Sequence, residues 1–156
     1  MPMNNLFTKR VGLGLTGALA VAASVIGHFE GRSLIAYLDP VGIPTICEGV
    51  TKNVKLGDVA TNKDCDEHLA NEVRVHASAV LKNVEVELSP NELAAYASFV
   101  YNVGEGNFRN STLLRKLNAD DRVGACDELS RWVYAGGKKL RGLERRRAAE
   151  RELCLL

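Results

Sequence analysis

The sequence predicts a mainly α, α+β fold: a small β-hairpin region joined to a helical lobe, with an apolar helix in front. Three observations carry this. Val11 to Phe29 holds no acidic or basic residue apart from His28, directly after Lys9 and Arg10. Leu34 to Val59 is rich in Gly, Thr, Val and Ile and is interrupted by Pro40 and Pro44, the composition of short strands and turns. Beyond Thr61, apolar residues recur at helical spacing. With 156 residues, the chain has the length of one domain with a real core, and it contains no internal repeat or linker.

The first element is poor in Leu, Ile and Phe and rich in small residues: Gly12, Gly14, Gly17, Ala18, Ala20, Ala22 and Ala23. As a helix rising about 1.5 Å per residue, Val11 to Phe29 covers roughly 28 Å, against a hydrocarbon core of about 30 Å. The preceding positive residues would hold that end in the cytoplasm and send the remainder outward. The segment is a reluctant span. A cleaved leader, with Ala20-Val21-Ala22 as the small-residue site, and a buried helix of the domain are the alternatives.

The helices follow in order. Thr61 or Asn62 caps a helix through about Asn83, with apolar positions at Leu69, Val73, Ala77, Val80 and Leu81. Ser89-Pro90-Asn91-Glu92 is a capping-box start with proline at the first helical position. The helix it opens, through Leu93, Ala94, Ala97, Val100 and Tyr101, is the expected buried centre and ends at Gly104-Glu105-Gly106. Helices are expected at about Ser111–Leu117, Asp121–Tyr134 and Leu143–Leu155.

The net charge of +1 says little about partners, but its distribution is uneven. Lys138, Lys139, Arg141, Arg145, Arg146, Arg147 and Arg151 crowd the C-terminal end. No helix-turn-helix, zinc-ligand spacing or aromatic RNA-binding motif accompanies them. A solvated basic helix face, attracted to an anionic wall or lipid surface, is the expectation, and nucleic acid is not. His28, His68 and His76 show no ligand spacing and no carboxylate partner nearby in sequence, so no metal and no cofactor is expected. The four cysteines, Cys47, Cys65, Cys126 and Cys154, allow three pairings. Pairing of nearest neighbours and retention as buried thiols are equal alternatives.

Chemistry is concentrated in Glu30-Gly-Arg-Ser-Leu-Ile-Ala-Tyr-Leu-Asp39-Pro-Val-Gly-Ile-Pro-Thr45. Two carboxylates and a hydroxyl separated by short turn-forming linkers can face one another across a cleft. Such a group breaks a glycosidic bond, one carboxyl protonating the leaving oxygen while the other activates water or attacks. Alone, the spacing describes an acidic surface loop equally well.

The surrounding residues narrow the choice. Glu30-Gly31, Leu34, Ala36-Tyr37, Asp39, Gly42, Thr45-Ile46-Cys47 and Gly49-Val50-Thr51 form one block. Phe99-Val100-Tyr101-Asn102-Val103-Gly104, Gly106-Asn107-Phe108 and Ser111 to Leu114 form a second. Arg131-Trp132, Tyr134 to Lys138, Gly142-Leu143, Arg146-Arg147 and Glu150 form a third. In this order the blocks resemble the phage-type lysozymes, glycoside hydrolase family 24, and within them the signal-arrest-release endolysins of lambdoid phages.

That resemblance implies a lysozyme-like catalytic domain over 30–156 and an N-terminal membrane segment over 1–29. It implies Glu30 as general acid, Asp39 as the carboxylate that orients or deprotonates water, and Thr45 as the hydroxyl that holds that water. A free glutamic acid has a pKa of about 4.3, so a general acid working at neutral pH needs partial burial against apolar side chains. The family inverts the anomeric centre, which calls for carboxyl groups about 6.5–9.5 Å apart.

Asn102, Gly104, Phe108, Ser111 and Thr112 are the candidate groove residues, a core position being the stronger alternative for Phe108, with Arg146 as a cation near Glu30; Trp132 and Tyr134 are expected in the core. The implied partner is peptidoglycan, together with transient contact with the host inner membrane (N-terminus in, C-terminus out) before release to the periplasm. A monomer is expected, with affinity supplied by the cleft itself. A lytic transglycosylase and a non-enzymatic, membrane-anchored wall-binding protein are the competing readings.

Overall fold

The computed structural model describes residues 14–156; Val11, Gly12 and the basic pair before them lie outside the described residues. The elements are α1 (Leu15–Glu30), β1 (Ser33–Leu38), β2 (Pro44–Cys47), α2 (Asn62–Asn83), α3 (Pro90–Val103), α4 (Glu105–Arg109), α5 (Thr112–Asn118) and α6 (Arg122–Glu128). A 3₁₀ turn (Leu129–Arg131), β3 (Tyr134–Ala135), β4 (Lys138–Lys139) and α7 (Arg141–Leu155) complete the order.

Helix α3 is the axis of the helical lobe, and α1, α2 and α7 pack around it. Its run from Leu93 to Val100 is buried on every side, as a helix that is apolar all round must be. It starts where the capping box predicts: the Ser89 hydroxyl accepts from the Glu92 N–H, and the Glu92 carboxylate accepts from the Ser89 N–H at 2.7 Å. Helix α2 begins with a reciprocal pair between Thr61 and Asp64, and its predicted apolar stripe, Leu69, Val73, Ala77, Val80 and Leu81, is buried.

Helix α1 is part of this core. Ala18, Ala22 and Ile26 bury one face of it, and small side chains at this face let it approach α3. Thr16, Gly17, Ala20, Ser24 and His28 face water, where they cost little. Among the described residues no helix is long and apolar enough to cross a membrane. The expected division between residues 29 and 30 falls inside α1, whose last residue is Glu30.

The β lobe is the antiparallel hairpin β1–β2, registered Tyr37 to Thr45 and Leu38 to Pro44. Its own core is small: Ala36, Ile46, Cys47 and Cys65, with Leu34, Val50, Val54 and Ala60 packed against it. Disulfides join Cys47 to Cys65 and Cys126 to Cys154, the nearest-neighbour pairing. Closing loops of 18 and 28 residues stabilises by about 3 kcal/mol each in the chain-entropy account.

Two expected elements differ. The helix foreseen at Asp121–Tyr134 stops at Arg131 because Gly136 and Gly137, both at positive φ, turn the chain into the β3–β4 hairpin, a geometry that favours glycine. Gly104 ends α3 at φ 88°, and a further short helix, α4, starts immediately after it.

Candidate active site

Glu30 is the C-terminal residue of α1, and Gly31 follows at φ 71°, releasing the chain into the hairpin. The Glu30 side chain is 27% exposed and accepts a 2.5 Å bond from Arg146 Nη1. It lines an open cavity of about 500 Å³ with His28, Phe29, Asn102, Leu140, Gly142, Leu143, Arg145 and Arg146. The Arg146 guanidinium also lies over the Phe29 ring, 5.8 Å from its centroid. The expected cation near Glu30 is therefore present.

Arg146 and Arg147 do not belong to a solvated basic face. Both are buried and converge on Glu150, which has no exposed surface. Burial lowers the Arg147 pKa from its ordinary value, and the Glu150 carboxylate opposes that shift. Arg147 also donates to the Asn102 Oδ1 and to the Trp132 carbonyl. Sequence reasoning missed Glu150, Arg147 and Ser98. The available clue was spacing: residues 146, 147 and 150 share one helix face, opposite the small residue Ser98 on α3.

Asp39 and Thr45 lie on the neighbouring hairpin. Asp39 Oδ1 accepts from the N–H groups of Val41 and Ile43, each at 2.9 Å. This Asx-type turn fixes the carboxylate at the head of the loop. Thr45, 4% exposed, donates its hydroxyl proton to the Ile43 carbonyl at 2.9 Å, so the same oxygen can act only as an acceptor elsewhere.

Besides the Cys47–Cys65 disulfide, side-chain hydrogen bonds tie the hairpin lobe to the helical lobe. Arg32 donates to Glu48 Oε1 at 2.5 Å and to Asp66 Oδ1 at 2.8 Å. The Tyr101 hydroxyl donates to the Glu48 carbonyl at 2.9 Å. Burial, with the Glu30 charge second, pushes the Tyr101 phenol up to about 12.

The remaining expected groove residues divide. Asn102 is exposed in the cavity shared with Glu30 and in an adjoining one lined by Trp132, Tyr134 and Leu143. Phe108 is not a groove residue: it is fully buried in the core, near Tyr96 and Phe99. Ser111 is buried too, its hydroxyl committed to the Phe108 carbonyl and the Leu114 N–H as the cap of α5. Thr112 accepts from Arg115 Nη2 at 2.7 Å, and Gly104 serves as the shared cap of α3 and α4. Trp132 packs edge-on against Phe99, but Tyr134 is not core: it is 63% exposed on β3. His76 does have a carboxylate neighbour, Glu72 at 3.4 Å one helical turn away.

Comparison with known proteins decides the family. Residues 27–150 match the family described as Phage lysozyme. The chain belongs to the phage lysozyme family. A relative described as the SAR-endolysin of Enterobacteria phage PA-2 is 44% identical over 146 residues, 89% of this chain and 88% of its own. Among solved phage lysozyme-like structures, the endolysin from Escherichia coli O157:H7 phage FAHEc1 is 34% identical. It superposes with a TM-score of 0.79 over 86% of this chain and 90% of its own. The active form of the P1 phage endolysin Lyz, at 22% identity, shares the fold with a TM-score of 0.81 over 99% of this chain and 94% of its own.

Proposed function

We propose that the chain is a peptidoglycan-hydrolysing muramidase, an endolysin that cuts the β-1,4 bond between N-acetylmuramic acid and N-acetylglucosamine during host lysis. The observation that carries this is the placement of Glu30. It is a partly exposed carboxyl at a helix terminus, held by Arg146 in an open cavity, and Gly31 leads from it into the hairpin that carries Asp39 and Thr45.

Glu30 gives its proton to the glycosidic oxygen as that oxygen leaves C1. Asp39, with Oδ1 held by two backbone donors, uses its other oxygen to take a proton from water. The water oxygen bonds to C1 on the opposite face of the sugar, inverting the centre. Thr45 accepts a hydrogen bond from the second water O–H, which stays on the oxygen that becomes the C1 hydroxyl, since its own proton is already directed to the Ile43 carbonyl. Asn102 contacts the glycan along the groove.

The N-terminal segment first holds the enzyme in the host inner membrane, N-terminus inside, and then leaves the bilayer. The periplasmic form has α1 folded onto α3, its small residues tolerating both lipid and water. While the segment spans the membrane, Glu30 is pinned at the bilayer surface, away from Asp39 and Thr45. The tethered enzyme is inactive for that reason, and collapse of the membrane potential promotes release.

Release of reducing ends from purified peptidoglycan tests the reaction. Hydrolysis yields reducing N-acetylmuramic acid, and Asp39→Asn abolishes it. An anhydro end that persists in Asp39→Asn would instead establish a lytic transglycosylase.

A further inference from the structure

We propose that Glu150, a carboxylate with no solvent exposure, is the positioning residue that sets both Glu30 and Asn102. The inference rests on the hydrolase reading. Residues 146, 147 and 150 face α3 from one side of α7, and Glu150 divides its two oxygens between the arginines. Oε1 accepts from Arg146 Nε at 3.1 Å and from the Ser98 hydroxyl at 2.7 Å. Oε2 accepts from Arg147 Nη1.

Each arginine, anchored there at one edge, extends another edge toward the groove. Arg146 Nη1 reaches Glu30 at 2.5 Å while Nη2 holds the Ser98 carbonyl at 3.2 Å. Arg147 Nη2 reaches Asn102 Oδ1 while Nε holds the Trp132 carbonyl at 3.0 Å. A guanidinium only donates. The Asn102 amide must therefore turn its oxygen inward, leaving Nδ2 as the group offered to the groove. The substrate atom it suits is an acceptor, the carbonyl oxygen of an acetamido sugar.

Glu150 also balances charge. Its carboxylate offsets one of the two buried guanidinium charges, so the pair facing Glu30 and Asn102 is not left wholly uncompensated. Removing one member of such a buried network leaves its partners unpaired.

Glu150→Gln in the full chain tests the proposal. Glutamine has the same shape but one acceptor oxygen, so at least one arginine loses its anchor. The expected result is a fall in kcat on the order of 100-fold from misplacement of the acid. KM should also rise about tenfold, from loss of an ordered charge-supported hydrogen bond. Asn102→Ala should raise KM alone. Leu117→Ala, a core substitution in α5, lowers thermal stability without moving either constant and so marks a purely structural effect.

A Glu150→Gln enzyme that is destabilised like Leu117→Ala yet keeps both constants overturns the proposal. If Glu150→Gln fails to fold, Arg147→Lys keeps the charge, but its single nitrogen cannot span the three acceptors that Nε, Nη1 and Nη2 reach. It should raise KM with kcat held, and an unchanged KM overturns the assignment. Binding of a muropeptide-free N-acetylglucosamine–N-acetylmuramic acid oligomer to Glu30→Gln, with and without Glu150→Gln, reads the Asn102 arm without chemistry. Wild-type enzyme that binds this oligomer but releases no reducing ends defeats the hydrolase reading alone.

Discussion

Arg146 and Glu30 are separated by 116 positions in the chain and by 2.5 Å in space, and Arg146 is 4% exposed. One end of the chain therefore holds the residue that closes the first helix. Arg146→Met should cost about 1.5–3 kcal/mol of stability, because Glu150 keeps Arg147 but loses the guanidinium on Oε1. The same substitution should lower kcat by at least about tenfold, from looser placement of the acid. Thermal unfolding and reducing-end release check the two effects; unchanged values for both would separate Arg146 from the site.

In the proposed mechanism Asp39 has two tasks that substitution can divide. Asparagine retains an Oδ1 able to accept from Val41 and Ile43, so Asp39→Asn should keep the hairpin and the melting temperature. Activity should fall on the order of 100- to 10,000-fold, as for loss of a general base. Asp39→Ala should lose both the turn and the activity. Retention of activity in Asp39→Asn would remove the water-activating role.

The disulfide Cys47–Cys65 belongs to the small core of the lobe that carries Thr45, and Cys47 sits at φ 56°, a conformation most residues avoid. The helical lobe has a larger core of its own. Cys47→Ala/Cys65→Ala should therefore abolish most hydrolysis while preserving the helical circular dichroism. Cys126→Ala/Cys154→Ala should reduce thermal stability with kcat retained. Equal activity in the two double variants would contradict this division.

Tyr101 provides the pH test. Its folded-state pKa is raised from 10.0 to about 12, chiefly by burial. A raised value means that its contribution to stability is complete below pH 10 and is lost as pH rises toward 12. Tyr101→Phe should remove that component of alkaline destabilisation, together with one late-titrating phenolate absorbance. It also removes the bond to the Glu48 carbonyl, so the melting temperature at neutral pH should fall slightly.

Much of the fold was legible because local physics agrees with it. The Ser89–Glu92 and Thr61 caps, the stripe from Leu69 to Leu81 and the apolar α3 all carry their signal within one turn of the chain. The Gly136-Gly137 turn was missed because Trp132 and Val133 continue the apolar pattern of α6. At the site, Glu30, Asp39 and Thr45 stand out through contiguous motif spacing, and Asn102 and Arg146, expected at the groove, both line the cavity that holds Glu30. The motif does not separate groove from core for Phe108 and Ser111, because it records that a residue is required, not which way it faces. The Arg147–Glu150–Ser98 network was hidden because a buried charge and a solvated one look alike in sequence until the opposing helix is known.

A turbidity assay on outer-membrane-permeabilised cells, comparing Glu30→Gln with wild type, tests whether Glu30 is the acid on which hydrolysis depends. Both proteins are first shown to be folded and released from the membrane. Rapid clearing is expected with wild type and no clearing above background with Glu30→Gln. Clearing at the wild-type rate by Glu30→Gln would contradict that role.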